Sequence, residues 1–167
     1  MRVFLDTLRS MARRIFALGF RGTFGEGSTE SSGNLPSEVA DEELLARFVF
    51  SRGHIRTSDS TLKPRAFEPE RHPSTRNLEL SVSRVDSLGE DAIWSIGAAI
   101  AVTRQCTLYA RGEFTCALPK RVGLMVEPDE PPVRHAVIKG WPGTKNAWMS
   151  RAQEIAAEAK PVMAPKG

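Results

Sequence analysis

Apolar and polar residues alternate in two stretches of the chain, which predicts two β-strands. In the first stretch Leu78, Leu80 and Val82 alternate with glutamate and serine. In the second, over residues 106–118, the even positions are apolar or small and most of the odd positions are polar. A period of two residues is typical of a strand that buries one face. Gly112 falls inside the second stretch and is a candidate bulge or bend.

Helical spacing appears in three other stretches. Acidic residues followed by apolar ones over 41–48 predict a short helix. Ser87 and Glu90 have the spacing of a capping box and predict the start of a second helix, whose apolar residues recur at three- and four-residue steps. Thr144 is a candidate N-cap for a closing helix. The predicted buried face of that helix consists of Trp148, Ala152, Ile155 and Ala159.

Shorter patterns complete the predicted fold. The apolar run VGLMV at 122–126 predicts a strand after a turn at 119–121, and residues 134–138 predict an edge strand before a GWPG turn at 140–143. The order of elements is then helix, strand, helix, three strands and helix. This order predicts an α+β fold, with a small antiparallel sheet of three or four strands and about three helices packed on it.

The N-terminal region differs in composition from the rest of the chain. Residues 1–22 carry five arginines against one acid and repeat apolar residues at helical spacing, which predicts an amphipathic basic helix or extension. Such a helix suits an extension that packs weakly, an organelle transit peptide, a membrane surface or a partner protein. Residues 23–36 are rich in glycine and serine and predict a flexible linker. We therefore expect a single domain over 37–160 and a tail over 161–167.

Composition favours a soluble globular protein with a weak attraction for anions. The 167 residues include 23 basic and 20 acidic side chains, a smaller surplus than a dedicated nucleic-acid binder shows. No apolar run approaches the roughly 18 residues that a membrane-spanning helix needs. Cys106 and Cys116 would lie about 33 Å apart along one strand, beyond the reach of a disulfide. We therefore expect buried, reduced cysteines and a cytoplasmic location.

Familiar catalytic and cofactor motifs are absent from the sequence. It contains no GxGxxG, GxxxxGK[ST], HExxH or GxSxG motif, so the common phosphate-loop folds, the zinc proteases and the α/β-hydrolases have no support. The cysteines and histidines lack the spacing of zinc ligands. The carboxylates are mostly isolated or in capping positions, and no acid/base pair stands out. The sequence therefore predicts neither a metal nor a cofactor.

The segment from Arg47 to Arg76 concentrates the polar chemistry of the chain. It holds seven basic residues, three acidic residues and two of the three histidines. Clustered arginine and lysine attract anions, and glycine and proline make most of this segment a loop. Its candidate phosphate-binding residues are Ser51, Arg52, Arg56 and Lys63, with His54 as a proton carrier. The alternative is a polar turn whose histidine is only solvated.

A second Arg/His pair occurs far away in the sequence. Arg134 and His135 are followed by Lys139 and Trp141, the latter within the GWPG turn. If the two segments met, His54 and His135 would supply the base and the acid of a metal-free phosphodiester cleavage, and the cations would bind the developing charge. The alternative is that His135 points inward from an edge strand and Trp141 fills the core.

Five segments in this order, ELLARFVFSRGHIR, KPRAF, LELSVSRV, AIWSIG and RHAVIKGWPGTK, resemble a family of small uncharacterised bacterial proteins. The resemblance covers roughly residues 41–160 and implies a prokaryotic cytosolic protein, which favours the other interpretations of residues 1–22 over an organelle transit peptide. It implies no activity, cofactor or site.

Two classes of function fit these residues. The first is binding of a nucleotide, or of an RNA or DNA backbone, through the basic loop, with or without cleavage at phosphate. The second is a non-catalytic accessory subunit that docks on a protein partner through the same charges. Convergence of Arg52, His54, Arg134 and His135 in a concave pocket would favour the first class, and scatter over a convex face would favour the second.

Overall fold

The fold is given by a computed structural model that describes residues 35–165. The predictions for residues 1–22 and for most of the linker lie outside the described residues. Within the described range the strands are β1 (Leu44–Val49), β2 (Glu70–Arg71), β3 (Leu78–Arg84), β4 (Ala110–Thr115), β5 (Met125–Pro128), β6 (His135–Lys139) and β7 (Lys160–Met163). The helices are α1 (Glu90–Arg104), α2 (Ala117–Arg121) and α3 (Lys145–Glu158). Two 3₁₀ turns, Arg52–His54 and Pro64–Phe67, lie between β1 and β2.

All seven strands belong to one antiparallel sheet in the order β5-β6-β3-β1-β4-β7, and β2 pairs with the beginning of β3. The α+β class is therefore confirmed, but the predicted sheet of three or four strands is wrong. The additional strands are β1, which was predicted as a helix, and the two short strands β2 and β7.

Strand β1 replaces the helix predicted over 41–48. Leu45 and Val49 are buried on one face of the strand, and Ala46 and Phe48 are buried on the other. A central strand that is covered on both faces is apolar at nearly every position, so it lacks the alternation that reveals a half-exposed strand. The acidic residues before it therefore do not belong to a helical turn.

Other element boundaries also differ from the predictions. Helix α1 begins at Glu90 after Gly89, and Ser87 does not cap it because its hydroxyl donates to Asp86 Oδ2 at 2.9 Å. The strand predicted over 106–118 is only the six-residue β4, and α2 occupies the place of the predicted turn. Strand β5 begins three residues later than predicted, at Met125.

Three predictions near the C-terminus have different outcomes. The closing helix is confirmed as α3, with Ala152 and Ile155 buried, but Trp148 is only half-buried and the buried Ala159 is its C-cap. Its N-cap Thr144 makes no side-chain capping bond. Strand β6 is not an edge strand, because it pairs with β3 on one side and β5 on the other. The edge strand β7 covers residues 160–163, which are the last residue of the predicted domain and the first three of the predicted tail.

The cysteines are both free, but they do not share a strand. Cys116 is buried at the start of α2, while Cys106 is half-buried in the loop between α1 and β4. Their separation follows from the short length of β4. Burial raises the pKa of the Cys116 thiol, which keeps it protonated and unreactive near neutral pH.

The sheet lies between helices on its two faces. Leu45 and Val49 share a core cluster with Ala152 and Ile155 of α3, whereas Ala46 and Phe48 share another with Ile93 of α1. Because neighbouring residues of a strand point to opposite faces, α1 and α3 cover opposite faces of the sheet. The ends of the strands stay free for loops that carry polar groups.

Gly112 is not a bulge, because it pairs in regular register with Arg47 on β1 and Pro161 on β7. A Cβ atom there would lie 2.7 Å from Leu62 Cδ1 and 2.8 Å from Phe67 Cζ. We expect Gly112→Ala to lower the free energy of unfolding by about 1–3 kcal/mol, since overpacking forces neighbouring side chains to move. Urea denaturation would measure the change. Gly143→Ala is the control, because nothing lies within 4 Å of a Cβ at that position, and an equal loss in both variants would contradict the explanation.

Candidate anion-binding site

The site residues predicted from the sequence lie at opposite ends of the sheet. Strands β1 and β6 are both antiparallel to β3, so they run in the same direction. The basic loop follows the last residue of β1, whereas His135 is the first residue of β6. The two Arg/His pairs are therefore attached to opposite ends of parallel strands.

The register gives the size of this separation. His135 lies opposite Ser83, and Ser83 lies opposite Ala46 on β1. Val49 ends β1 three residues further along. Val49 is therefore two strand spacings across the sheet and three residues along it from His135, which places the two residues at least about 14 Å apart. His54 lies beyond Val49 in the chain. The structure does not bring His54 and His135 together, so the expected two-histidine pocket is not formed.

The residues of the second predicted segment are engaged in the fold. Arg134 Nη1 donates to the backbone oxygen of Asp86 at 3.2 Å. Lys139 Nζ donates to Glu127 Oε2 at 2.7 Å, and this hydrogen bond raises the pKa of the lysine. Trp141 is buried, and its indole N–H donates to the backbone oxygen of Ile138 at 2.8 Å. Lys139 and Trp141 therefore act in the structure as a sheet ion pair and a core residue.

The first predicted segment folds as a compact loop at the end of β1. Ser51 Oγ accepts the N–H of Gly53 at 3.2 Å and so caps the first 3₁₀ turn. The backbone of Lys63 donates to the carbonyl of His54 at 2.8 Å, and the apolar pair Ile55 and Leu62 bridges the two arms of the loop. These contacts hold the polar side chains of the loop near one another.

Two arginines of this loop have different surroundings. The guanidinium of Arg52 lies 5.5 Å from the centre of the Tyr109 ring, a cation–π arrangement at the entrance to β4. Arg56 lies towards the tip of the loop, 3.8 Å from Asp59, whose pKa is lowered by hydrogen bonds from Thr61. Arg56 is thus partly neutralised, and Arg52 is not.

Arg47 supports the loop from below. Its Nε donates to the carbonyl of Ala66 at 3.2 Å, and its Nη1 donates to that of Ser81 at 3.0 Å, so it joins the second 3₁₀ turn to β3. Glu70 lies 3.6 Å away and is exposed. Burial lowers the pKa of Arg47 to about 10, so it is still charged at neutral pH.

The pKa of His54 is lowered by burial and by neighbouring cations. Partial burial lowers the pKa of its ring, and the charges of Arg65 and Arg47 lower it further. Lys63 acts in the same direction, and Glu68 opposes it. The free protein therefore favours the neutral form of this histidine near pH 7, because burial and then the neighbouring positive charges disfavour the protonated ring.

Helix α1 brings another cation to the same end. Arg104, its last residue, lies with its guanidinium 5.6 Å from the centre of the Phe50 ring, just beyond β1. We call the resulting surface the basic end; its members are Arg52, His54, Lys63, Arg65 and Arg104. The four cations form no ion pair with any carboxylate of residues 35–165.

Sequence reasoning missed two members of the basic end. Arg65 was counted in the basic segment but not as a candidate ligand, although its spacing from Lys63 is a usable signal. Arg104 lies 52 positions after Arg52 in the sequence. No local pattern joins Arg52 and Arg104, because only the pairing of β1 with β4 brings them to the same end of the sheet.

Comparisons with protein-family models, curated proteins and solved structures found no match. Within residues 35–165 no group of three or more His, Cys, Asp or Glu side chains could hold a metal ion. No helix in that part of the chain is both long and apolar enough to cross a membrane. The functional argument therefore depends on the geometry and charge of the basic end.

Proposed function

We propose that the protein binds the phosphate backbone of a nucleic acid at the basic end. The observation that carries this proposal is the group of four cations without carboxylate partners at one end of the sheet, two of which, Arg65 and Lys63, lower the pKa of His54. Arginine and lysine that lack acidic partners gain energy from phosphate oxygens and release the counterions of the polyanion. The partly buried Arg47 already donates to the backbone carbonyls of Ala66 and Ser81 and adds only its charge.

An extended polyanion fits this surface better than a small ligand. Arg52, Arg65 and Arg104 are exposed, and they project from three different segments. A cleft of about 460 Å³ does exist, but it lies where β1 begins, at the other end of the sheet, and is lined by Leu44, Glu113, Phe114, Thr115, Ala117, Leu118, Arg121, Glu158 and Lys160. Exposed cations spread over an edge are typical of sites that follow a backbone.

Binding without cleavage is the form of this function that the geometry supports. His135 lies at the far end of the sheet, so His54 has no second histidine from β6 as its acid or base. His72 accepts the backbone N–H groups of Ser74 and Thr75 within its own turn. A lone imidazole beside cations can adjust affinity with pH, but it supplies only half of the expected acid/base pair.

The test compares two double variants with the same charge. Arg52→Gln with Arg65→Gln removes two of the four cations of the basic end, while Arg121→Gln with Arg151→Gln removes two charges elsewhere. We expect the first variant to bind a fluorescein-labelled 20-nucleotide single strand at least tenfold more weakly by anisotropy. The slope of log K against log salt should also become shallower by about 1.4, for two lost phosphate contacts on a single strand.

Equal losses in both double variants would mean that affinity follows net charge and not the basic end. Undetectable binding by the parent protein at 50 mM salt would reject nucleic acid as the partner. The same exposed cations would then favour the accessory-subunit function, in which they dock on an acidic protein surface.

A further inference from the structure

Three arginines in the described part of the chain lie over aromatic rings, and two of them belong to the basic end. The Arg52 guanidinium lies 5.5 Å from the centre of the Tyr109 ring. The Arg104 guanidinium lies 5.6 Å from the centre of the Phe50 ring. The third, Arg111, is fully buried and paired with two carboxylates. The two arginines of the basic end are exposed and lack carboxylate partners among the described residues, so they are not part of a buried ion-pair network.

The two rings of these pairs are neighbours at the end of the sheet. Phe50 follows the last residue of β1, and Tyr109 precedes the first residue of β4. The backbone N–H of Tyr109 donates to the carbonyl of Val49 at 2.9 Å, so the two segments are still paired there. Phe50 packs against the core cluster on the α1 side, whereas Tyr109 packs against the cluster on the α3 side. The sheet therefore ends in one arginine–aromatic pair on each of its faces.

Each ring limits the directions in which its arginine points. A guanidinium is planar and stacks on aromatic faces, and a cation within about 6 Å of a ring centre is attracted by the ring. Both rings are half-buried and packed on the core, while both arginines are exposed. The side of each guanidinium that faces away from its ring therefore meets solvent. It offers a flat cationic surface whose orientation is set by the fold.

A flat cation of this kind fits the face of an unpaired nucleobase. Bases of single strands stack on aromatic rings and on arginine guanidinium planes, and such stacking tolerates different sequences. The bases of a duplex are stacked on one another and are not available to these surfaces. A site that bound phosphates alone would not need rings beneath its arginines.

We propose that the basic end prefers single-stranded nucleic acid and stacks two of its bases on Arg52 and Arg104, an inference that rests on the proposed function. Lys63 and Arg65, which lie over no aromatic ring of the described residues, bind the phosphates. Because the two arginine–aromatic pairs lie on opposite faces of the sheet, the backbone of the strand crosses the end of the sheet between the two bases.

The first test needs no variant. A 20-nucleotide thymidylate strand and a 20-nucleotide abasic strand carry the same phosphates, but only the first has bases. We expect the full chain to bind the thymidylate strand at least tenfold more tightly than the abasic strand or a 20-base-pair duplex, by anisotropy at equal salt. The slope of log K against log salt should be the same for the two single strands, because they make the same number of phosphate contacts.

Removal of the rings should abolish this preference. In Phe50→Leu with Tyr109→Leu, the affinities for the two single strands should differ by less than threefold. The matched control is Phe50→Tyr with Tyr109→Phe, which keeps both rings and should keep the tenfold ratio. Thermal melting shows whether each double variant folds.

A second pair of substitutions lies at exposed positions, where the fold is not at stake. Arg52→Lys with Arg104→Lys keeps both charges but removes the planar groups, so the ratio of the two affinities should again fall below threefold. Tyr109 is the only tyrosine in the chain, so 3-fluorotyrosine gives a single fluorine NMR signal at the site. That signal should shift more with the thymidylate strand than with the abasic strand.

The outcomes separate this inference from the proposed function. Equal affinity of the parent for the thymidylate and abasic strands would overturn base stacking and leave phosphate binding at the basic end intact. A tenfold ratio that survives the loss of both rings would place the bases elsewhere and would also overturn the inference. If the parent bound neither strand, the proposed function would be rejected, and this inference with it.

Discussion

Replacing Arg84 with methionine should lower the free energy of unfolding by about 3–5 kcal/mol. Arg84 is 1% exposed, and its Nε and Nη2 donate to the Glu43 carboxylate at 2.5 and 2.9 Å. Its Nη1 donates to the carbonyl of Pro36 at 2.8 Å, and Nη2 also reaches the carbonyl of Glu38 at 3.3 Å. One guanidinium thus joins the segment before β1 to the end of β3.

The loss is large because methionine leaves a carboxylate with little access to water. The Glu43 side chain is only 10% exposed, so it would stay desolvated without its counterion. Chemical denaturation measures the change. Arg151→Met is the control, because that arginine pairs with Glu154 at an exposed position and should cost less than about 1 kcal/mol. If Arg84→Met lowered the free energy of unfolding by less than about 1 kcal/mol, the ion pair would not be what holds the segment before β1 on the sheet.

Replacing Arg111 with methionine should be the next most destabilising change, by about 3 kcal/mol. The side chain is fully buried, with Nε 2.8 Å from Glu113 Oε1 and Nη2 2.6 Å from Glu90 Oε1. Its guanidinium lies 4.3 Å from the centre of the Trp94 ring on α1, which adds a cation–π contact. Methionine would remove the link between β4 and α1 and leave Glu113 unpaired.

The partners of Arg111 provide the internal control. The Glu90 side chain is 65% exposed, so Glu90→Gln should cost less than about 1 kcal/mol, whereas Glu113, at 11%, is the main counterion. Denaturation followed by tryptophan fluorescence measures both variants. A more stable Arg111→Met protein would mean that the cost of burying the charge exceeds the gain from its partners, as happens when an apolar side chain of similar volume fills the space.

The success of local prediction depends on how each strand is covered. Strand β3 was predicted because Leu80 and Val82 are buried while Glu79 and Ser81 keep partial contact with water. Strand β1 was missed because both of its faces are covered, so its mostly apolar sequence lacks the alternation of apolar and polar residues that predicts a strand. Strand β7 was missed because Pro161 suggests a stop, although proline is tolerated in an edge strand such as this one.

The candidate site shows the same limit at longer range. Most basic residues of the 47–76 segment are exposed, as expected for charged side chains in a loop. Which residues share the basic end depends on strand order. The pairing of β1 with β4 and the path of α1 add Arg104, and the direction of β6 removes His135. Strand pairing and strand direction both join residues that are far apart in the chain, so no short stretch of the sequence predicts them.

The most direct test of the proposed function is the titration of the His54 ring by NMR, in the free protein and in a complex with a single-stranded oligonucleotide. The pKa of His54 is lowered in the free protein by burial and by Arg65 and Arg47, and bound phosphate would offset these charges. Protonation and binding then favour each other, so affinity should rise as pH falls from about 8 to 6. We expect the pKa of His54 to be higher in the complex than in the free protein. Binding of the oligonucleotide should not shift the ring signals of His135, which lies at the far end of the sheet. An unchanged His54 titration in a saturated complex would show that the phosphates bind elsewhere and would contradict the proposed function of the basic end.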